Sequence, residues 1–190
     1  MHMERRAEIT TADRALREDE TPCFLLCPGP GAEDLYAGVG AAKMDVGTYL
    51  WFPAHVAIPP VASTGGRATI VDLGVRVRCA LSAIVRLGRG AHYAREEQYG
   101  SYQIVPHRGV GATPLGPVDS VGVTSSEYVE TLEVAVRNFS DEEFIVERGT
   151  SLFQLVLPSL EPARACVVGA CHPAFARRAI GRAGPGSGEK

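Results

Sequence analysis

Residues 131–157 read TLEVAVRNFSDEEFIVERGTSLFQLVL, and this stretch decides the fold class. Leu132, Val134 and Val136 alternate with positions that include the polar residues Thr131, Glu133 and Arg137, which is the period of a β-strand with one buried face and one face in water. A polar break follows, and the apolar runs 144–146 and 152–157 are separated by an Arg-Gly-Thr turn at 148–150. The stretch therefore predicts three successive strands joined by short turns.

The other apolar segments are also short, and glycine or proline ends most of them. They lie at residues 24–27, 42–52, 55–58, 68–73 and 75–79. The chain holds 21 Gly and 13 Pro in 190 residues, as expected where many turns join short elements. These features predict an all-β fold, a barrel or jelly roll.

We expect one folded domain with two polar ends, because 190 residues is the length of a single domain. Residues 1–20 form a polar N-terminal arm, residues 21–172 the β domain, and residues 173–190 a flexible tail rich in glycine and basic residues. Residues 89–117 have no clear period, and a loop of that length is usually functional. We interpret it as a partner-recognition loop whose contact residues are His92, Tyr93, Tyr99 and Tyr102.

The composition excludes several classes of protein. Hydrophobic residues make up 45% and charged residues 22%, the balance of a globular chain rather than a disordered one. A formal net charge of -3 argues against nucleic-acid binding. No apolar run approaches the roughly 20 residues that cross a bilayer, and residues 1–20 lack the apolar core of a secretory signal. We therefore expect an intracellular protein, cytoplasmic or nuclear, that does not bind membranes.

The five cysteines agree with a reducing compartment. Their number is odd, and secreted disulfide scaffolds are usually even-numbered and denser in cysteine. The spacings Cys23-x3-Cys27 and Cys166-x4-Cys171-His172 would supply two halves of a zinc site. Neither is the two-residue spacing of structural zinc sites, so we favour buried free thiols and assign no metal ligand.

Four segments resemble the dUTPase family, whose architecture the dCTP deaminases share. Residues 42–46 and 55–60, AKMDV and HVAIPP, are similar to its Ala-Gly-x-Asp-Leu and Val-x-Ile-Pro-Pro strands. Residues 133–157 are similar to its core hairpin, with an Asn before the turn, an Arg-Gly turn and Phe-Gln-Leu in place of Ala-Gln-Leu. Residues 116–119, GPVD, lie where the family keeps a Gly-x-Ile-Asp loop. The resemblance covers roughly residues 40–158, in the family's order.

This resemblance implies a jelly-roll protomer that assembles as a homotrimer with active sites between subunits. The family hydrolyses magnesium-bound dUTP to dUMP and pyrophosphate. Such a reaction needs a carboxylate that orients or deprotonates water, together with side-chain donors and Mg²⁺ that neutralise the phosphates. A glycine-rich C-terminal tail closes over the phosphates and excludes bulk water.

The resemblance assigns site roles to particular residues. Asp119, in the third motif, is the candidate catalytic carboxylate. Tyr128 would match the tyrosine that stacks under the sugar, and Gln154 the glutamine of the fourth motif. Asp45 matches the first motif, and the remaining nucleotide-binding candidates are Arg86 and Arg89, near the family's Pro-Arg-Ser-Gly segment, and Arg182 in the tail.

Each of three assignments has a plainer structural explanation that the sequence leaves open. Asp45 could cap a turn, Tyr128 could belong to the core or to a subunit contact, and Gln154 could bond to a neighbouring backbone.

This sequence matches the family's barrel-forming residues better than its catalytic residues. Residues 86–90 contain no Ser, and the Arg-Gly pair of the third motif is replaced by Val129-Glu130. Ser151 replaces a phosphate-binding Arg, and residues 182–188 lack the Phe that covers the uracil ring. Losing one phosphate donor removes about 3 kcal/mol of transition-state stabilisation. The departures together predict a degenerate active site.

Two function classes remain. We favour a dUTPase-fold protein with an impaired site that acts by binding a protein partner, for example as a viral or phage accessory protein. The alternative is a divergent but active dUTP diphosphatase, or a dCTP-deaminase-like enzyme, that uses dUTP or a related nucleotide with Mg²⁺. An unrelated jelly-roll binding module is a third explanation, which the match at 133–157 disfavours.

Overall fold

The computed structural model describes residues 21–39, 46–87 and 92–176, with the side chains of 82–87 and 92–97 left out. The predicted arm 1–20, most of the predicted tail, and the candidates Asp45, Arg89 and Arg182 lie outside the described residues. The described part contains twelve strands. They are β1 (Cys23–Pro28), β2 (Gly47–Trp51), β3 (Val56–Ile58), β4 (Thr69–Leu87), β5 (His92–Gly100), β6 (Tyr102–Pro106), β7 (Leu115–Pro117), β8 (Gly122–Thr124), β9 (Thr131–Asn138), β10 (Phe144–Val146), β11 (Ser151–Val156) and β12 (Arg164–Val167).

Two main sheets enclose the core. The first has the strand order β12-β1-β4-β9-β7, with β5 also paired to β4, and the second has the order β2-β11-β6-β8. Strands β3 and β10 form a separate two-stranded pair. The edge of the Phe24 ring meets Tyr102 across the core, with ring centroids 5.9 Å apart. The predicted all-β fold class is confirmed.

Alternation along each strand explains which side chains fill the core. Leu132, Val134 and Val136 on β9 are buried, as the period of the sequence predicts. On β11 the inward residues Phe153 and Leu155 face the same interior from the second sheet. Burial of these side chains against each other supplies most of the driving force for packing the two sheets.

Strand β4 is longer than the sequence indicates, because it joins the runs 68–73 and 75–79 into one element. Gly74 lies between the two runs with φ +63°, a conformation that glycine adopts without steric cost. The register of β4 against β9 shifts between Asp72 and Arg76. The glycine that looks like a strand terminator in the sequence is therefore a bulge inside one strand.

The prediction that residues 89–117 form a long loop is wrong. Strands β5, β6 and β7 and the 3-10 turn Arg108–Ala112 occupy most of that stretch. On β6, Tyr102 and Ile104 alternate with less buried residues, a short signal that the surrounding Gly, Arg and His residues obscure. Strand β5 pairs with β4 from Cys79 to Leu87, so the insertion is a β-hairpin rather than an irregular loop.

The folded body also includes residues just beyond the predicted domain end at 172. A 3-10 turn covers Pro173–Phe175, and the His172 ring accepts a hydrogen bond from the Ala174 N–H at 3.3 Å. Phe175 is buried and packs in a small cluster with Cys27 on the outer side of β1. Within the described residues, no helix is long and apolar enough to span a membrane.

Candidate functional site

A small hollow lies beside Asp119, the candidate catalytic residue. Asp119 lies in the turn between β7 and β8, and the hollow measures about 50 Å³. Its lining consists of Ile104, Pro117, Asp119, Gly122, Glu133, Val134, Ala135 and Phe153.

Strand pairing on both sides positions the Asp119 turn. Pro117 on β7 is opposite Val136 of the first sheet, and Gly122 on β8 is opposite Ile104 of the second sheet. The Val118 N–H donates to the Ala135 carbonyl at 2.9 Å. The turn therefore links the two sheets, and the hollow opens between them.

The charge at the hollow is negative. Asp119 and Glu133 are the ionisable side chains among the described residues that line it, and both are exposed. Within the same described set, no arginine, lysine or histidine lines the hollow. Carboxylates repel phosphate groups, so the hollow by itself does not attract a nucleotide triphosphate.

The hollow is large enough for water molecules but too small for a nucleotide. Pockets that bury small organic ligands enclose about 300–1,000 Å³, whereas this one measures about 50 Å³. A space of that size accepts one or a few water molecules when polar groups line it. The described residues that line this hollow therefore provide a carboxylate beside a water-sized space.

Tyr128 closes a turn and does not line the hollow. Its hydroxyl donates to the Thr131 carbonyl at 2.7 Å, and its ring packs against the core. Burial, followed by the negative charge of Glu133, raises the pKa of the Tyr128 hydroxyl. Gly122, three residues after Asp119, lines the hollow instead.

Gln154 lies in the middle of β11, between Tyr49 of β2 and Val105 of β6. Its side chain covers Gly47, where an added Cβ would lie 2.8 Å from the Gln154 Oε1. The Tyr49 ring packs edge-on against His107, with centroids 4.9 Å apart. Gln154 is therefore part of the outer face of the second sheet, and it is not in the lining of the Asp119 hollow.

The assignment of Arg86 and Arg89 to a nucleotide site stays a prediction. Arg86 lies on β4, in the part whose side chains are not described. Pro106-His107-Arg108-Gly109, in contrast, ends β6 and continues into a 3-10 turn that contacts β7 and β11. This segment follows β6 and lies next to β11, the strand of Gln154. Arg108, which is exposed, is a basic candidate that the sequence analysis missed.

The four residues predicted to contact a partner protein lie in different environments. Tyr102 is 1% exposed, and its hydroxyl donates to the Val77 carbonyl at 3.2 Å. It is a core residue, so its assignment to a contact loop is wrong. Tyr99 lies half-buried with the Arg78 guanidinium 3.9 Å from its ring centroid. His92 and Tyr93 are on β5, where the side chains are not described.

The cysteines do not assemble a metal site in the described part of the chain. The parallel pairing of β1 with β12 brings the Cys23 and Cys166 sulfurs to 3.3 Å. Burial, followed by the hydrogen bond with Cys166, raises the pKa of the Cys23 thiol to about 12, which keeps it protonated. Cys27 instead accepts a hydrogen bond from Arg76. Across the described residues, no group of three or more His, Cys, Asp or Glu side chains could hold a metal ion.

Comparison with known proteins gives dUTPases as structural neighbours. No protein-family model and no curated protein sequence matches the chain. The dUTPase of Streptococcus mutans has 18% identity and a TM-score of 0.41, over 59% of this chain and 76% of its own. The dUTPase of phage phi11 of S. aureus, described with a structural Mg(II) ion, has 13% identity and a TM-score of 0.44, over 70% and 88%.

A third neighbour, the dUTPase of Staphylococcus bacteriophage 80alpha in a variant complexed with dUpNHpp, has 13% identity and a TM-score of 0.45, over 70% and 82%. Phage dUTPases are described there as controlling the transfer of virulence genes by a G protein-like mechanism. These proteins are dUTPases, as the sequence resemblance suggests, and the likeness concerns the fold.

Proposed function

We propose that this chain is a dUTPase-fold protein with an impaired hydrolytic site, and that it acts by binding a protein partner. The observation that carries the proposal is the charge of the hollow beside Asp119. Its described ionisable lining consists of Asp119 and Glu133, both acidic.

Hydrolysis of a nucleoside triphosphate requires donors that neutralise the phosphates as negative charge moves in the transition state. Removing one such donor from an enzyme lowers kcat by about 10²–10³-fold. Here the hollow adds a second carboxylate, Glu133, and Gly122 provides no side chain to support a sugar. Both features oppose binding and turnover of dUTP.

The assembly and the partner belong to the same proposal. The sequence resemblance suggests a homotrimer, and partner binding gives a dUTPase-fold chain a role that does not depend on turnover. The signalling role described for phage dUTPases is a precedent for such a role and leaves the partner of this chain to be identified. A viral or phage accessory protein is the setting that we propose.

The alternative, an active dUTP diphosphatase or deaminase-like enzyme, is favoured by one observation. Arg108 lies in a turn that contacts β7, the strand that leads to Asp119. A second subunit could complete such a site. The described residues provide no three-ligand cluster for a metal, so Mg²⁺ would arrive bound to the nucleotide phosphates.

Pyrophosphate release from dUTP and from dCTP, measured with Mg²⁺, tests the proposal. The protein is first shown by light scattering to have one defined mass, and Asp119→Asn is assayed beside it. We expect no release above the blank for either protein. Release that disappears in Asp119→Asn would overturn the proposal and establish the enzyme.

A further inference from the structure

Three arginines lie together on the outer face of the first sheet. Arg76 and Arg78 are two residues apart on β4, opposite Cys27 and Leu25 of β1. Arg164, on β12, is opposite Cys23 on the other side of β1. Side chains of directly paired residues point to the same face of a sheet, so the three belong to one surface, which we call the arginine face.

Aromatic rings and a thiol hold two of these arginines in place. The Arg78 guanidinium lies 3.9 Å from the centroid of Tyr99, and the Arg76 guanidinium lies 4.9 Å from that of Phe175. One Arg76 Nη donates to the Cys27 sulfur at 3.1 Å. Such packing orients a guanidinium without neutralising its charge.

Among the described residues, none of the three arginines forms an ion pair with a carboxylate, although the exposed Asp72 and Glu133 lie further along the same outer face. An ion pair at a different place joins Arg148 to Asp34. Within the described residues, the buried Nε–H groups of Arg78 and Arg164 have no hydrogen-bond acceptor, so internal hydrogen bonds do not satisfy these two side chains fully. Guanidinium groups that form no ion pair with a carboxylate keep their charge, and several of them on one face attract an external anion.

We infer that the arginine face binds an extended acidic segment of the partner protein, which rests on the proposed function. Residues two apart on a strand are about 6.7 Å apart. Arg76 and Arg78 therefore have the same spacing as carboxylates at alternate positions of an extended peptide. By strand spacing, Arg164 lies about 12 Å from Arg78 across β1. A single phosphate is too small to contact all three, whereas an extended acidic peptide spans them.

The test is a titration followed by fluorescence anisotropy, using a labelled peptide of alternating Glu and Ser residues. We expect the peptide to bind, and the binding to weaken as the salt concentration is raised. Arg78→Gln should weaken peptide binding at least tenfold. Arg164→Gln should weaken it too. Arg67→Gln is the matched control, because Arg67 is an exposed arginine away from this face, and it should bind like the wild type. Thermal melting confirms that each variant is folded.

Several outcomes would overturn the inference. One is that the peptide does not bind, and another is that Arg67→Gln weakens peptide binding as much as Arg78→Gln does. A third is that inorganic phosphate displaces the peptide at concentrations at which sulfate does not. Tighter binding after neutralisation of the acidic residues at 18–20 would also overturn it, because the chain itself would then be the occupant. Pyrophosphate release is measured on the same wild-type sample, so failure of the peptide to bind is distinguishable from failure of the proposed function.

Discussion

Asn138 is the residue whose replacement should destabilise the fold most clearly. Its side chain is 0% exposed, at the end of β9. Its Nδ2 donates to the Ile58 carbonyl at 2.9 Å and to the Glu142 carbonyl at 2.7 Å. Its Oδ1 accepts from the Ser140 N–H at 3.0 Å and from the Ser140 hydroxyl at 2.7 Å. One amide thus connects β9, β3 and the turn before β10.

Asn138→Ala should lower the free energy of unfolding by about 3 kcal/mol. Once the amide is gone, the Ser140 hydroxyl can turn its single proton to the Glu142 carbonyl, 2.9 Å away, so the amide's loss affects chiefly the Ile58 carbonyl and the Ser140 N–H. Leaving a buried polar group unsatisfied costs about 1–3 kcal/mol. For a chain of this size, that corresponds to a Tm lower by about 6–12 °C.

Two matched variants sharpen this test. Ser140→Ala removes one hydroxyl and should cost about 0.5–1.5 kcal/mol. Asn138→Asp keeps the acceptor but places a carboxylate against two carbonyl oxygens, so its pKa should be raised in the folded state. A raised folded pKa means that this variant is least stable above that pKa and recovers as pH falls through it. Urea unfolding at fixed protein concentration measures all three.

The reasoning about Asn138 would be refuted by either of two results. One is a loss below about 1 kcal/mol for Asn138→Ala, which is no more than an ordinary net hydrogen bond contributes. The other is an Asn138→Asp protein that matches the wild type at pH 8.

Three further variants test other parts of the description. Tyr128→Phe removes the bond to the Thr131 carbonyl and should cost about 1 kcal/mol in urea unfolding, and a loss of several kcal/mol would contradict a turn-closing role. Gly74→Ala places a Cβ at φ +63° and should cost about 1–2 kcal/mol, whereas an unchanged Tm would exclude strain there. The Arg148 guanidinium lowers the pKa of Asp34. The interaction between these two side chains therefore stabilises the fold at neutral pH, and this stabilisation is lost as the pH falls through the pKa of Asp34 in the folded state. Arg148→Gln should flatten the acid side of the stability profile, and an unaltered acid slope would contradict this.

Local signals predicted the parts of the fold that depend on short stretches of chain. The segment 131–157 contains alternation, a turn and a second alternation within one window, and the structure forms β9, β10 and β11 there. Strand β5 was not predicted because its own sequence shows no clear period. Its pairing with β4 defines it, and pairing between strands cannot be seen in a single segment. The bulge at Gly74 was missed because glycine usually ends a strand, and a shift in cross-strand register is needed to see that it does not.

The site was predicted less well because strands far apart in the sequence build it. Asp119 was found from its motif, but Ile104 and Phe153 reach the hollow through the second sheet. Arg108 was not singled out because its position, in the turn after β6 and beside β11, became evident only with the strand order.

The distribution of charge connects these observations to function. Two carboxylates, those of Asp119 and Glu133, line the hollow, whereas Arg76, Arg78 and Arg164 lie together on the outer face of the first sheet. We expect an anionic ligand to be repelled by the hollow and attracted to the three arginines. Because charge steers encounter before contacts form, the proposed function predicts association with an acidic macromolecule rather than capture of a free nucleotide.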